Sequence, residues 1–83
     1  MSDTDLRMIF HEELTRIAPD IDAATIGEDD HIQDDLELDS MDVLNLVAAL
    51  HDRLGVNIPE ADYPSIATTR LAVAYLTKKT AKA

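Results

Sequence analysis

One apolar stripe constrains the fold of this chain more than any other pattern. Aliphatic side chains recur at i, i+3, i+4, i+7 and i+11, the spacing of one face of an α-helix: Val43, Leu46, Val47, Leu50 and Leu54. Asp39 or Ser40 can cap the start of this helix, and Gly55 can end it. The stripe therefore predicts a helix from about Ser40 to Leu54 that buries one face in a core.

Two further helices are predicted on either side of this one. The first runs from about Thr4 to Ile17, with Asp3 or Thr4 as its cap, and Pro19 makes continuation past Ala18 unfavourable. Its apolar face consists of Leu6, Ile9, Phe10, Leu14 and Ile17. The last helix runs from Thr68 or Thr69 to about Lys79, with Ala72, Val73 and Leu76 on its inner face.

Two connections complete the fold. A long one, from Pro19 to Asp39, carries aliphatic residues without a clean period, which should pin it to the core: Ile21, Ile26, Ile32, Leu36 and Leu38. After an extended stretch at residues 56–59, a short helix is expected around Tyr63–Ile66 with Pro64 in its first turn. The predicted fold is all-α, a small bundle of three longer helices plus one short helix, with a long first loop.

Composition narrows the class of protein. A chain of 83 residues is expected to form a single domain over residues 1–83, with a frayed tail at about 78–83. Only 4% of residues are aromatic, so the core should be aliphatic. The formal net charge of −10 argues against nucleic-acid binding and favours a partner with a basic patch. Without cysteine there is no disulfide, thiolate metal site or cysteine nucleophile.

The N-terminal residues and the apolar runs indicate where in the cell the protein is expected. Met1–Asp5 is acidic and lacks the basic start and apolar run of a signal peptide. No apolar run approaches membrane-spanning length, so we expect no membrane insertion. A cytoplasmic protein is the default expectation.

Ser40 lies at the start of the second helix within an acidic region. Acidic residues are frequent in the preceding loop, and no Lys or Arg lies between Ile17 and Asp52. A negative field is a poor place for a serine nucleophile and a good place to attach a group. The free N–H groups of a helix N-terminus also favour a phosphate there.

Simpler interpretations exist for the same residues. Ser40 alone is more often just a helix cap, and an acidic run is most often a solvated loop. The run lacks the central Gly of an EF-hand, so we predict no metal site. His11, His31 and His51 show no metal-ligand spacing and are expected to be solvent-exposed. Nothing in the sequence supplies a base or an oxyanion hole for Ser40, so no catalytic residue is predicted.

Residues 34–42, Asp-Asp-Leu-Glu-Leu-Asp-Ser-Met-Asp, resemble the attachment motif of acyl carrier proteins. The segments 55–59, 66–69 and 72–76 also fit that family, so the resemblance covers essentially the whole chain. It implies that Ser40 carries 4′-phosphopantetheine, attached from coenzyme A by a phosphopantetheinyl transferase. The thiol of that arm would carry acyl groups as thioesters in fatty-acid, lipid or secondary-metabolite synthesis. The chain itself, expected to be a monomer, would catalyse nothing.

Partners of such a carrier would be the transferase and the enzymes that load and transfer acyl or aminoacyl groups, each with a basic docking patch. Met41, Leu44 and Ala48 form a second apolar stripe that could stay exposed for docking. We define the docking surface as the residues expected to meet these partners: Asp39, Met41, Asp42, Leu44, Asn45, Ala48, His51 and Asp52.

The chain departs from the Glu-rich pattern that the family shows on this helix. Asn45 and His51 remove negative charge, and Arg53 adds positive charge on faces that partners read. We therefore expect a specialised carrier rather than one for general fatty-acid synthesis. One alternative is a stand-alone aminoacyl or peptidyl carrier, although the Gly-rich motif usual before its serine is absent from residues 37–40. Another is an unmodified acidic helical adaptor for a basic partner.

Overall fold

The computed structural model describes residues 2–80 and has the predicted all-α architecture. Helices α1 (Asp3–Ile17), α2 (Ser40–Leu54) and α3 (Thr69–Thr80) form the bundle. Two 3₁₀ helices lie in the connections, at Ala23–Thr25 and Glu60–Ile66. The boundaries of α2 are those that the apolar stripe predicts.

Helix α1 begins one residue earlier than the sequence suggests. Neither Asp3 nor Thr4 is its cap; the Ser2 hydroxyl accepts a hydrogen bond from the backbone N–H of Asp5 at 3.1 Å. Asp3 and Asp5 then lie in the first turn, where the positive end of the helix dipole favours them. The helix ends at Ile17, before Pro19, as predicted.

The core lies where the faces of the three helices meet. Side chains with essentially no exposure fill it: Leu6, Phe10, Leu14, Leu46, Leu50, Ile66 and Leu76. These apolar side chains are aliphatic except for Phe10, and the polar side chains of Glu13 and Thr69 are buried as well. The apolar stripe of α2 is not buried evenly. Val43, Leu46 and Leu50 are buried, whereas Val47 and Leu54 are only partly buried.

The long loop is pinned to this core as expected. Ile32 and Leu38 are buried, and Ile21, Ile26 and Leu36 pack against the core cluster. Two arginine pairs also hold the loop. Arg7 of α1 donates to both carboxylate oxygens of Glu28 at 2.7 and 2.8 Å, and Arg70 of α3 pairs with Asp29 at 2.9 and 3.3 Å. The loop thus reaches α2 from an anchored position.

The second 3₁₀ helix begins three residues before the predicted Tyr63. Its first turn forms because the Pro59 carbonyl accepts the Asp62 N–H at 2.8 Å, which places Pro64 inside the helix rather than in its first turn. Helix α3 continues through Thr80, so residues 78–80 of the predicted frayed tail lie at the end of this helix. The remainder of that predicted tail, 81–83, lies outside the described residues.

The expectation of three solvent-exposed histidines is wrong for two of them. His11 is partly buried and lies 3.0 Å from the Thr69 hydroxyl, and burial lowers the pKa of its imidazole. His31 is partly buried in the loop, and its Nδ1 accepts the N–H groups of Gln33 and Asp34, each at 3.2 Å. Only His51 is exposed.

Candidate attachment site

Ser40 is the first residue of α2, and the residue before it makes the helix cap. The Asp39 carboxylate accepts the Asp42 N–H at 2.8 Å, while the Asp42 carboxylate accepts the Asp39 N–H at 3.3 Å. This reciprocal capping box fixes the helix start without using Ser40. The simple interpretation of Ser40 as a helix cap is therefore wrong.

Two buried side chains hold Ser40 at the surface. Leu38 lies in the core two residues before it, and its N–H donates to the Ile32 carbonyl at 2.9 Å. Val43 lies in the core three residues after it. Between these anchors Asp39, Ser40 and Met41 are exposed. Ser40 is thus a solvent-facing side chain on a fixed backbone.

The chain approaches the serine through a residue in an unusual conformation. Glu37 has a φ of 63°, in the left-handed region that a side chain with a Cβ seldom adopts. This bend lets Leu36 pack against the core and Leu38 enter it on either side of the exposed Glu37. No sequence signal marks the bend, because glycine is the usual residue at such a position.

The Ser40 hydroxyl has no side-chain partner in the structure. Among the described residues, no side chain forms a hydrogen bond with it. Within residues 2–80, no group of three or more His, Asp or Glu side chains could hold a metal ion. The exposed hydroxyl is accessible to an external enzyme.

The predicted docking residues lie along the outer side of α2. Met41 and Leu44 are large apolar side chains with 63% and 50% of their surface exposed. Asn45, Ala48 and His51 are also exposed. Asp39 and Asp52 are exposed, and Asp42 is half-buried through its part in the capping box. The structure therefore brings all of these residues together along α2 and its capping residue Asp39.

Arg53 forms hydrogen-bonded ion pairs within the bundle. Its Nη1 donates to Glu12 at 2.8 Å and to Glu13 at 2.9 Å, both on α1, and these hydrogen bonds raise the pKa of Arg53. The Glu13 side chain is only 1% exposed, whereas that of Arg53 is 36% exposed. Arg53 thus partners a buried carboxylate and joins α2 to α1, and its effect on partners stays a prediction.

A groove opens beside Ser40 that the sequence pattern does not reveal. Its volume is about 470 Å³, and residues from the loop, α2 and the second 3₁₀ helix line it: His31, Ile32, Gln33, Ser40, Val43, Leu44, Glu60, Tyr63, Pro64 and Ala67. The loop comes close because the Ile32 N–H donates to the Ala67 carbonyl at 2.9 Å. These residues are distant in sequence, so only the tertiary fold places them around Ser40.

Comparison with known proteins identifies this arrangement. The family model described as "Phosphopantetheine attachment site" matches residues 4–76. An acyl carrier protein of Streptomyces coelicolor is 34% identical over 83 residues, covering 96% of this chain and 90% of the relative. One from Onion yellows phytoplasma is 36% identical over 75 residues, covering 88% and 99%.

The solved structures agree with the sequence relatives. A structure of an acyl carrier protein from Enterococcus faecalis aligns with a TM-score of 0.74 and 28% identity, covering 95% of this chain and 99% of that one.

Within residues 2–80, none of the helices has the length and apolar character needed to span a bilayer.

Proposed function

This chain belongs to the acyl carrier protein family, whose members carry 4′-phosphopantetheine, and we propose that Ser40 is the residue to which this group is attached. The family consists of non-catalytic carriers. The observation that supports Ser40 is its exposed hydroxyl on a helix start that is already capped by Asp39 and Asp42. When bound, the group supplies the thiol that holds acyl cargo as a thioester.

The residues at the site fit this group. The N–H groups in the first turn of α2 and the positive end of its dipole favour a phosphate on Ser40. Asp39 and Asp42 oppose it, but both carboxylates accept backbone N–H groups in the capping box. We infer that their negative charge serves recognition by basic partners, since it does not favour the phosphate itself.

Carriers of this family interact with a phosphopantetheinyl transferase and with acyl-handling enzymes. For this chain we propose that both dock on the docking surface, with Met41 and Leu44 as apolar contacts and Asp39 and Asp42 as charged ones. Exposed Asn45 and His51 make the later part of the surface less acidic. This supports a specialised carrier over one for general fatty-acid synthesis. A single domain, a monomeric state and a cytoplasmic location stay predictions.

An intact-mass measurement tests the attachment site. The apo protein is incubated with coenzyme A and a broad-specificity phosphopantetheinyl transferase. We expect a gain equal to the mass of the arm, absent in Ser40→Ala and retained in Ser65→Ala. Ser65 is a matched control because it lies in the second 3₁₀ helix, away from a helix start. No gain with several transferases would contradict the proposal and favour the unmodified adaptor.

A further inference from the structure

The groove beside Ser40 has two kinds of lining. An apolar wall is formed by Ile32, Val43, Leu44, Pro64 and Ala67. Polar groups are contributed by His31, Gln33, Glu60 and Tyr63. Because Ser40 itself lines this groove, cargo on an arm attached there can reach it. This step rests on the proposed function of Ser40.

The polar groups of the groove differ in their availability. His31 Nδ1 already accepts two backbone N–H groups of its own loop. By contrast, within residues 2–80 the side chains of Gln33, Glu60 and Tyr63 take part in no hydrogen bond or ion pair. Three side chains with donors or acceptors therefore remain available for a bound group.

Glu60 sets the charge preference of the groove. It is the only carboxylate among the described residues that line the groove, and no Lys or Arg lines it. Each described arginine is paired with an acid elsewhere: Arg7, Arg16, Arg53 and Arg70. A cationic group entering the groove would thus meet a carboxylate without an internal competitor, whereas an anionic group would be repelled.

The closed core behind the groove limits the length of its cargo. Leu46 and Ile66 have no exposed surface, and Val43 is 6% exposed. A long alkyl chain would have to displace these close-packed side chains, at a cost that short cargo avoids. The apolar wall can cover a few methylene groups while the far end of the cargo meets the polar side chains.

We propose that this groove selects short acyl cargo that carries a protonated amine, an aminoacyl group, and that Glu60 is the residue that recognises the amine. Val43 and Leu44 contact the methylene groups of the cargo. Gln33 and Tyr63 provide hydrogen-bonding groups beside it. Recognition of this kind would favour an aminoacyl carrier even though the Gly-rich motif before the serine is absent.

Two isosteric cargoes test this assignment. The protein is modified by a broad-specificity transferase with coenzyme A analogues whose arm ends in a hydrolysis-resistant β-alanyl or butyryl amide. These groups differ only in ending in an ammonium or a methyl. We expect nuclear Overhauser contacts from the β-alanyl methylenes to Val43 and Tyr63, and amide shift changes around the groove several-fold larger than those with butyryl. High salt should reduce the difference.

Matched variants connect the result to Glu60. Glu60→Gln should remove the difference between the two cargoes, whereas Asp20→Asn, the same charge change outside the groove and the docking surface, should preserve it. Both residues are exposed, so both variants are expected to fold. Equal spectra for the two cargoes, or a difference that survives Glu60→Gln, would overturn the proposal. Intact mass is measured first, because a failure of loading would contradict the role of Ser40 instead.

Discussion

The two ends of helix α2 are held by different kinds of interaction. At the start, the capping box joins Asp39 to Asp42, and the contacts are local in sequence. At the end, Gly55 adopts a left-handed conformation and Arg53 bonds to Glu12 and Glu13 of α1. The helical rise from Ser40 to Arg53 places these ends about 20 Å apart.

The two ends of α2 therefore have different roles. Local capping stabilises the first turn while leaving the outer side chains of α2 exposed for partners. The last turn uses its charged residue to join two helices, so that residue is less available to a partner. Charge counted from sequence alone would assign Arg53 to recognition, whereas its contacts also give it a role in stability.

The largest expected contrast lies between two leucines of α2. Leu50 is fully buried, whereas Leu44 is 50% exposed. Leu50→Ala should lower the free energy of unfolding by about 3 kcal/mol, because it removes buried methyl groups and leaves a cavity. Leu44→Ala should lower it by less than about 0.5 kcal/mol. Urea denaturation of the two variants measures both changes.

Transferase kinetics complete this contrast. If Leu44 is a docking contact, Leu44→Ala should reduce kcat/KM for attachment of the arm although the protein remains folded. An unchanged kcat/KM would remove Leu44 from the proposed docking surface. A large loss of stability in Leu44→Ala would show instead that the start of α2 is packed as tightly as its middle.

The next contrast concerns Arg53, in the last turn of α2. Arg53→Ala should lower the urea midpoint, because the buried Glu13 carboxylate then loses its close guanidinium partner. Arg16→Ala is the control, since Arg16 is 73% exposed and lies 3.7 Å from Glu13. We expect a clearly smaller change for Arg16→Ala, and neither variant should alter transferase kinetics.

Faster modification of Arg53→Ala with an unchanged midpoint would reverse this assignment. The arginine would then act on partners, as its position in the sequence suggests. The experiment therefore separates the two interpretations of one charge.

The sequence predicts the helices well because their apolar spacing is a local property. Residues 40–55 carry both the stripe and its stop signal, Gly55, so the extent of α2 and the position of Ser40 could be predicted together. The Ser2 cap was missed because Asp3 and Thr4 are equally good capping types. Periodicity therefore locates a helix more securely than it selects the capping residue.

The features that were missed near the site depend on residues far apart in sequence. Arg53 meets Glu12 and Glu13 only after α1 and α2 pack together. The groove needs the contact between Ile32 and Ala67. Neither pairing leaves a periodic or spacing signal, so the sequence could predict the position of Ser40, the proposed attachment residue, at the start of α2 but not the groove beside it.

Two residues with a positive φ, one near each end of α2, provide a further test with a smaller expected change in stability. Gly55, at the end of α2, has a φ of 67°, and a Cβ added there would meet no atom within 4 Å. Gly55→Ala should therefore cost about 1 kcal/mol through backbone strain alone. Glu37→Gly, before the start of α2, should relieve similar strain, but the greater freedom of unfolded glycine should limit the gain to below about 1 kcal/mol.

Thermal unfolding measures both changes, and Gly55→Asn should lie between Gly55→Ala and the unchanged protein because Asn tolerates this conformation better. A stabilised Gly55→Ala would contradict the capping assignment at the end of α2. A destabilised Glu37→Gly would indicate that the Glu37 side chain contributes more than its conformation costs.

The smallest expected effect is a pH dependence in the loop that leads to α2. Arg7 holds the pKa of Glu28 below its ordinary value of 4.5, chiefly through their hydrogen bond. The charged form is favoured in the folded state, so this stabilisation is present above pH 4.5 and is lost as pH falls through the lowered pKa. The urea midpoint should therefore fall less steeply below pH 4.5 in Arg7→Gln than in the unchanged protein. Arg16→Gln, which leaves Glu28 paired, should retain the steeper fall, and parallel curves for all three proteins would show that the pair of Arg7 and Glu28 does not stabilise the fold.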